Sequence, residues 1–60
     1  MNAVEIQDHA RKLYEVHGAK ALVEANDKAR EYEASGKDDQ AKDWRRIAAA
    51  LQQLRGPRVS

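Results

Sequence analysis

The 60-residue sequence has no cysteine and no phenylalanine, and it contains only one proline and three glycines. The lack of cysteine excludes disulfides and thiolate metal sites, and it fits a reducing compartment. No apolar run approaches the roughly 20 residues that a membrane-spanning helix needs. The first residues also lack the basic and apolar regions of a secretory signal. We therefore expect a cytoplasmic protein that does not enter a membrane.

The short length limits how much core the chain can build. A domain of this size buries only about 60% of the surface that its unfolded chain exposes. Small domains are usually reinforced by disulfides, by a metal or by a second subunit. Because disulfides are excluded, we expect association with another chain, as a homodimer or with a different protein.

Charge is distributed unevenly along the sequence. The net charge is +1, but residues 1–41 carry six Lys or Arg and nine Asp or Glu, whereas residues 42–60 carry five and one. The first segment is therefore acidic and the second is basic. The basic segment has the charge to contact an acidic surface, a nucleic acid or the acidic segment of another copy.

Apolar residues recur with alternating spacings of three and four in three segments. Such spacing places them on one face of a helix. The first stripe consists of Ala3, Ile6, Ala10, Leu13 and His17. The second consists of Leu22, Ala25, Ala29 and Tyr32, and the third of Trp44, Ile47, Leu51 and Leu54. With no segment of period two, the sequence predicts an all-α protein.

The glycines mark the ends of the predicted helices. Gly36 is suited to close one helix, with Asp38 as the N-cap of the next, and Gly56-Pro57 ends the last one. Gly18 either breaks the first half of the chain or only bends it, because the second stripe starts one position out of register with the first. We predict an antiparallel bundle of helices at about 3–17, 19–35 and 38–55. The domain would span 1–55, followed by a flexible tail at 56–60.

Residues 35–39, SGKDD, contain a Gly-Lys pair that also occurs in phosphate-binding loops. Such a loop requires an upstream glycine, a preceding strand and Ser or Thr after the lysine. Here Glu31 and Asp38 occupy the glycine and hydroxyl positions, and a helix precedes the pair. The segment is therefore predicted to be a turn between helices.

Candidate catalytic and metal-binding residues are few. Glu5 and His9 lie four residues apart on one helical face, but two ligands do not make a bundle metal site, which draws on Glu-x-x-His motifs. We expect His9 to be solvated and His17 to lie at a helix C-terminus, where its cation suits the dipole. Ser35 and Ser60 have no neighbouring base. We expect no enzymatic activity and no cofactor.

The stripes supply the residues predicted to form the core or an interface. These are Leu13, Leu22, Ala29, Tyr32, Trp44, Ile47, Leu51 and Leu54. Alanines in the stripes let helix axes approach closely, and the few bulky residues make a thin core. Trp44, Leu51 and Leu54 are predicted to anchor a contact between copies. Several apolar residues lie off the stripes, where a dimer would cover them: Val4, Val16, Val23, Ala49 and Ala50. The sequence thus favours a non-enzymatic module for protein–protein interaction or oligomerisation.

The basic segment supports an alternative, a small nucleic-acid-associated protein that uses its third helix. The candidate phosphate contacts are Arg45, Arg46, Arg55 and Arg58. Trp44 would stack on a base in that case, but its position in the apolar stripe favours the core. Nucleic-acid-binding domains are also usually strongly basic, and this chain is nearly neutral.

Two resemblances accompany this pattern. With Ala29, Tyr32, Gly36, Ala41 and Ala48, residues 29–48 resemble a tetratricopeptide hairpin, which implies two nested helices. The chain departs from that family where large residues are usual, at Ala25, Lys28 and Arg45.

Across residues 10–54, the layout is similar to that of small uncharacterised helical proteins of alphaproteobacteria. The similarity rests on His17-Gly18, Gly36-x-Asp38 and Trp44-x-x-Ile47-Ala48. It implies a bacterial cytosolic protein and assigns no functional residue.

Overall fold

Three α-helices follow one another along the chain: α1 (Ala3–His17), α2 (Lys20–Ala34) and α3 (Asp38–Leu54). The computed structural model describes residues 1–54, so Arg55 and the predicted tail lie outside the described residues. The helices pack against one another as a three-helix bundle, which confirms the predicted fold class. The bounds of α1 and the start of α3 are as predicted, and α2 is one residue shorter than predicted at each end. The predicted end of α3 lies outside the described residues.

A reciprocal pair of hydrogen bonds starts α1. The Glu5 N–H donates to the Asn2 side-chain oxygen at 2.9 Å, and the Asn2 N–H donates to the Glu5 carboxylate at 3.3 Å. This is a capping box, which satisfies two backbone donors at the helix start. The Asn-x-x-Glu signal is present in the sequence, although our sequence analysis did not use it.

Gly18 breaks the chain between α1 and α2. Its φ of 63° and ψ of −139° lie in a region that residues with a Cβ rarely adopt. Its N–H donates to the Tyr14 carbonyl at 2.8 Å and thus completes the last turn of α1. The next residue, Ala19, already has helical angles. Of the two alternatives left open by the sequence, the break is therefore correct.

Gly36 closes α2 as predicted. Its φ is 76°, and its N–H donates to the Glu33 carbonyl while the Lys37 N–H donates to the Tyr32 carbonyl. These two bonds form a Schellman motif. The prediction that Asp38 is the next N-cap was wrong by one residue. The Lys37 carbonyl accepts the first bond of α3, so Asp38 lies within the first helical turn, where its charge favours the helix dipole.

Alanine dominates the core. Among the buried apolar residues of the described part of the chain, only Ile6, Ile47 and Leu51 are larger than alanine. The others are Ala10, Ala21, Ala25, Ala29, Ala41, Ala48 and Ala50. Such small side chains allow helix axes to approach towards the short end of the 8–10 Å range. The bundle is elongated, with a radius of gyration of 11.3 Å and extents of 36 × 23 × 21 Å.

The buried face of α2 is rotated relative to the predicted stripe. Ala21, Ala25 and Ala29 recur every four residues and are buried, whereas Leu22 and Tyr32 are half-buried at the margins. The prediction that Ala50 lies off the apolar face was also wrong. Because α3 contacts both other helices, its buried face is wider than one stripe and includes Ala50.

Helix α3 holds the bundle together. It packs extensively against α2 across the Gly36 turn, and α1 packs mainly on α3 and only slightly on α2. The core residues Ile6 and Ala10 of α1 accordingly belong to the same cluster as Ile47 and Leu51 of α3. In residues 1–54, none of the three helices combines the length and apolarity needed to cross a bilayer.

Alanine packing makes a specific prediction about added volume. We expect Ala25→Leu to lower the free energy of unfolding by about 1–3 kcal/mol, because the fully buried site has no room for a larger side chain. Asn26→Leu, at the neighbouring exposed position, should change it by no more than about 0.5 kcal/mol. Urea denaturation followed by circular dichroism measures both, and equal effects would contradict the close packing at Ala25.

Candidate interaction surface

The larger apolar side chains lie mostly at the margin of the core. Leu13, Leu22 and Trp44 are partly buried and pack against the alanine-rich interior, one from each helix. Tyr32 is likewise half-buried on α2. Their packed sides stabilise the monomer, while their outer sides stay accessible. These four residues form what we call the marginal cluster.

Trp44 contacts His9 across the α1–α3 interface. The two ring centroids are 5.3 Å apart and the ring planes are inclined by 63°, an edge-to-face arrangement. His9 is therefore half-buried against an aromatic ring, and the expectation that it is simply solvated was wrong. The contact places Trp44 between two helices, as its position in the third stripe predicted.

The structure separates the predicted core and interface residues into two groups. Ala29, Ile47 and Leu51 are buried within the monomer, with Ile47 and Leu51 fully so. Leu51 therefore has no accessible surface in the monomer, and its role as an anchor of a contact between copies stays a prediction. Leu54 is 37% exposed at the end of α3 and remains accessible.

Other apolar side chains project into solvent from α1 and α2. Val4, Val16 and Val23 are 60–76% exposed, as their positions off the stripes predicted. Ala49, the fourth exposed residue of that group, lies on α3. Scattered exposed residues of this kind are normal on a protein surface, so they do not by themselves define an interface.

A shallow groove runs between the N-terminal half of α1 and the C-terminal half of α3. Its volume is about 430 Å³, and Ile6, Ala49 and Ala50 contribute apolar surface to it. Gln7 of α1 and Gln53 of α3 also line it, together with Arg46. The groove follows the α1–α3 contact and is open to solvent.

The basic side chains of α3 have acidic neighbours. Arg45 forms an ion pair with Glu33 of α2, and Asp43 accepts a hydrogen bond from the Met1 amine at 3.5 Å. Arg46 is exposed and shares its surroundings with Asp39 and Asp43. The predicted phosphate contacts Arg55 and Arg58 lie outside the described residues.

His17 forms a contact that depends on the turn at Gly18. Its Nδ1 atom lies 3.4 Å from Oε2 of Glu24, which lies on α2 beyond the break. The pair is charged only when the imidazole is protonated, and both side chains are over 40% exposed. In residues 1–54, no three His, Asp or Glu side chains come together as a set of metal ligands.

Comparisons with protein-family models, with curated proteins and with solved structures found no match to this chain. The resemblances to the tetratricopeptide hairpin and to alphaproteobacterial helical proteins therefore stay expectations from the sequence.

The His9–Trp44 contact predicts a measurable coupling. In a double-mutant cycle of His9→Ala and Trp44→Leu, we expect a coupling energy of about 0.5–1.5 kcal/mol, because each substitution removes one ring of an edge-to-face pair. Urea denaturation of the four proteins gives this value. A control cycle replaces His9→Ala by Arg11→Ala, at an exposed site of α1, and keeps Trp44→Leu. Its coupling energy should be no more than about 0.5 kcal/mol. Similar couplings in the two cycles would show that the ring contact has no specific energy.

Proposed function

We propose that the protein is a non-enzymatic helical module that acts by self-association into a homodimer. The observation that carries this proposal is the marginal cluster. Leu13, Leu22, Tyr32 and Trp44 are large side chains that stay partly accessible, in a bundle whose core is built mainly from alanine. A second copy that covers these outer surfaces would add the apolar burial that the small monomer lacks.

The size of the monomer core supports the same proposal. Ile47 and Leu51 are the only large side chains that are fully buried in the described part of the chain. A single core in a domain below about 70 residues rarely contributes more than 3–5 kcal/mol, and oligomerisation is one common remedy. With no cysteine in the sequence, disulfides do not supply that stability.

Analytical ultracentrifugation over nanomolar to micromolar concentrations tests the proposal. We expect a concentration-dependent monomer–dimer equilibrium with Trp44 and Leu54 at the contact. Leu54→Asp should weaken dimerisation at least about tenfold, because it places a charge on the accessible apolar end of α3. Val4→Asp, at an exposed site of α1, should leave the equilibrium unchanged. A folded monomer at every concentration would refute the proposal.

A second candidate function, binding of nucleic acid through α3, rests on Lys42 and Arg46. Both are exposed and lie four residues apart, hence on one face of the helix. The ion pair of Arg45 with Glu33 and the nearby Asp39 and Asp43 weaken this candidate. Homodimerisation is therefore the function that we favour.

Salt dependence distinguishes the second candidate from the first. If the protein binds duplex DNA through these cations, the logarithm of affinity should fall linearly with the logarithm of salt concentration. Lys42→Gln with Arg46→Gln should then reduce that slope by about 1.8, and Arg30→Gln on α2 should not change it. We expect instead no retardation of DNA or RNA at low salt in a gel-shift assay. Steep, variant-sensitive binding would establish the nucleic-acid function.

A further inference from the structure

We infer that the dimer forms by exchange of α1, so that α1 of each copy packs on α3 of the other. This inference rests on the proposed self-association and specifies its mechanism. Its starting point is that α1 packs mainly on α3, although α2 directly follows it in the chain. The α3 of a second copy offers α1 an identical surface, so exchange requires no new complementarity.

A single residue acts as the hinge. Gly18 has φ 63° and ψ −139°, whereas Ala19 has φ −63° and ψ −23°, close to helical values. Rotation of the Gly18 backbone into the helical region would therefore join α1 and α2 into one continuous helix. Exchange needs no rearrangement of a longer loop.

Backbone hydrogen bonding favours the open form of this hinge. In the turn, the Ala21 N–H donates to the Gly18 carbonyl at 3.0 Å, a bond across three residues. The continuous helix would replace it with regular bonds from residues 19–22 to residues 15–18, which the turn interrupts. The start of α2 has no side-chain cap that would be lost on opening.

Two features favour the closed form, in which the chain turns at Gly18 as in the monomer. Gly18 has a low helix propensity, so a continuous helix through it is penalised. The His17–Glu24 contact also requires the turn, because residues seven apart in a continuous helix lie about 10.5 Å apart along the axis. Side-chain pairs along one helix meet at three or four residues, not at seven.

Opening at Gly18 carries α1 away from its own α3. In a continuous helix, the buried residues Ala10 of α1 and Ala21 of α2 are 11 residues apart, which at about 100° per residue places them only about 20° apart around the axis. The two buried faces therefore lie on nearly the same side of the long helix. When α2 stays on its own α3, α1 continues along the axis beyond the turn, and its apolar face is open to another chain.

Substitution at the hinge tests the inference. A Cβ at Gly18 would meet no atom within 4 Å, so Gly18→Ala acts through backbone conformation and not through a clash. Alanine in place of glycine shifts the equilibrium between the turn and the continuous helix about fivefold towards the helix in each chain. A dimer contains two such chains, so the effect is multiplied. We expect the dissociation constant to fall by about 25-fold or more in analytical ultracentrifugation.

Two further variants keep the test clear if Gly18→Ala folds poorly. Gly36→Ala is the matched control, because Gly36 also has a positive φ and open space for a Cβ. It should lower stability without strengthening the dimer. Insertion of two glycines between Gly18 and Ala19 lengthens the hinge, which should favour the closed monomer and weaken the dimer.

Cross-linking reports directly on which α3 each α1 contacts. Gln7 and Gln53 line the same groove from α1 and α3, and the cysteine-free sequence allows single thiols to be introduced. Gln7→Cys protein and Gln53→Cys protein are refolded together from urea and treated with a short bis-maleimide. A covalent heterodimer is expected, and more of it when both chains also carry Gly18→Ala.

The outcomes separate the two proposals. A heterodimer that increases with Gly18→Ala supports exchange of α1. If ultracentrifugation shows a dimer but the bis-maleimide joins the thiols only when Gln7→Cys and Gln53→Cys are on one chain, exchange is refuted. Self-association then still stands. A wild-type protein that stays monomeric at all concentrations overturns both.

Discussion

The packing of alanine against alanine is the constraint on which the structure depends. Ala21, Ala25 and Ala29 form the buried face of α2, and Ala41 and Ala48 are buried on α3. Small side chains let these helices approach closely, but each contributes little apolar area to the core. The same feature therefore limits the apolar burial within the bundle, while the larger side chains of Leu13, Leu22 and Trp44 lie at its margin.

The helical periodicity of the apolar residues and the positions of the glycines predicted most of the fold. The three stripes predicted three helices, and Gly36 closes α2 through the backbone bonds expected of a C-terminal glycine. Stripe counting was less accurate at Leu22 and Ala50, because it assigns one narrow face to each helix. A central helix such as α3 has two neighbours, and only the packing arrangement reveals how wide its buried face must be.

The candidate surface was less predictable from the sequence than the fold. Trp44 was correctly placed on the apolar face, but its partner His9 lies on a different helix, and the sequence gives no spacing signal for such a contact. Leu51 and Leu54 belong to the same stripe, yet one is fully buried and the other is accessible. Leu51 belongs to the buried cluster that α3 shares with Ile6 and Ala10 of α1, whereas Leu54 does not.

The thin core and the glycine hinge are linked through the attachment of α1. Helix α1 contributes Ile6 and Ala10 to the buried core, and half-buried His9 and Leu13 beside them. An element that buries so little can detach at modest cost, and such weakly held elements are the ones that open locally in native proteins. In the proposed exchange, α1 buries the same surface against the α3 of the second copy. Because this contact is then the same in both forms, the proposal places the difference between them in the backbone conformation at Gly18.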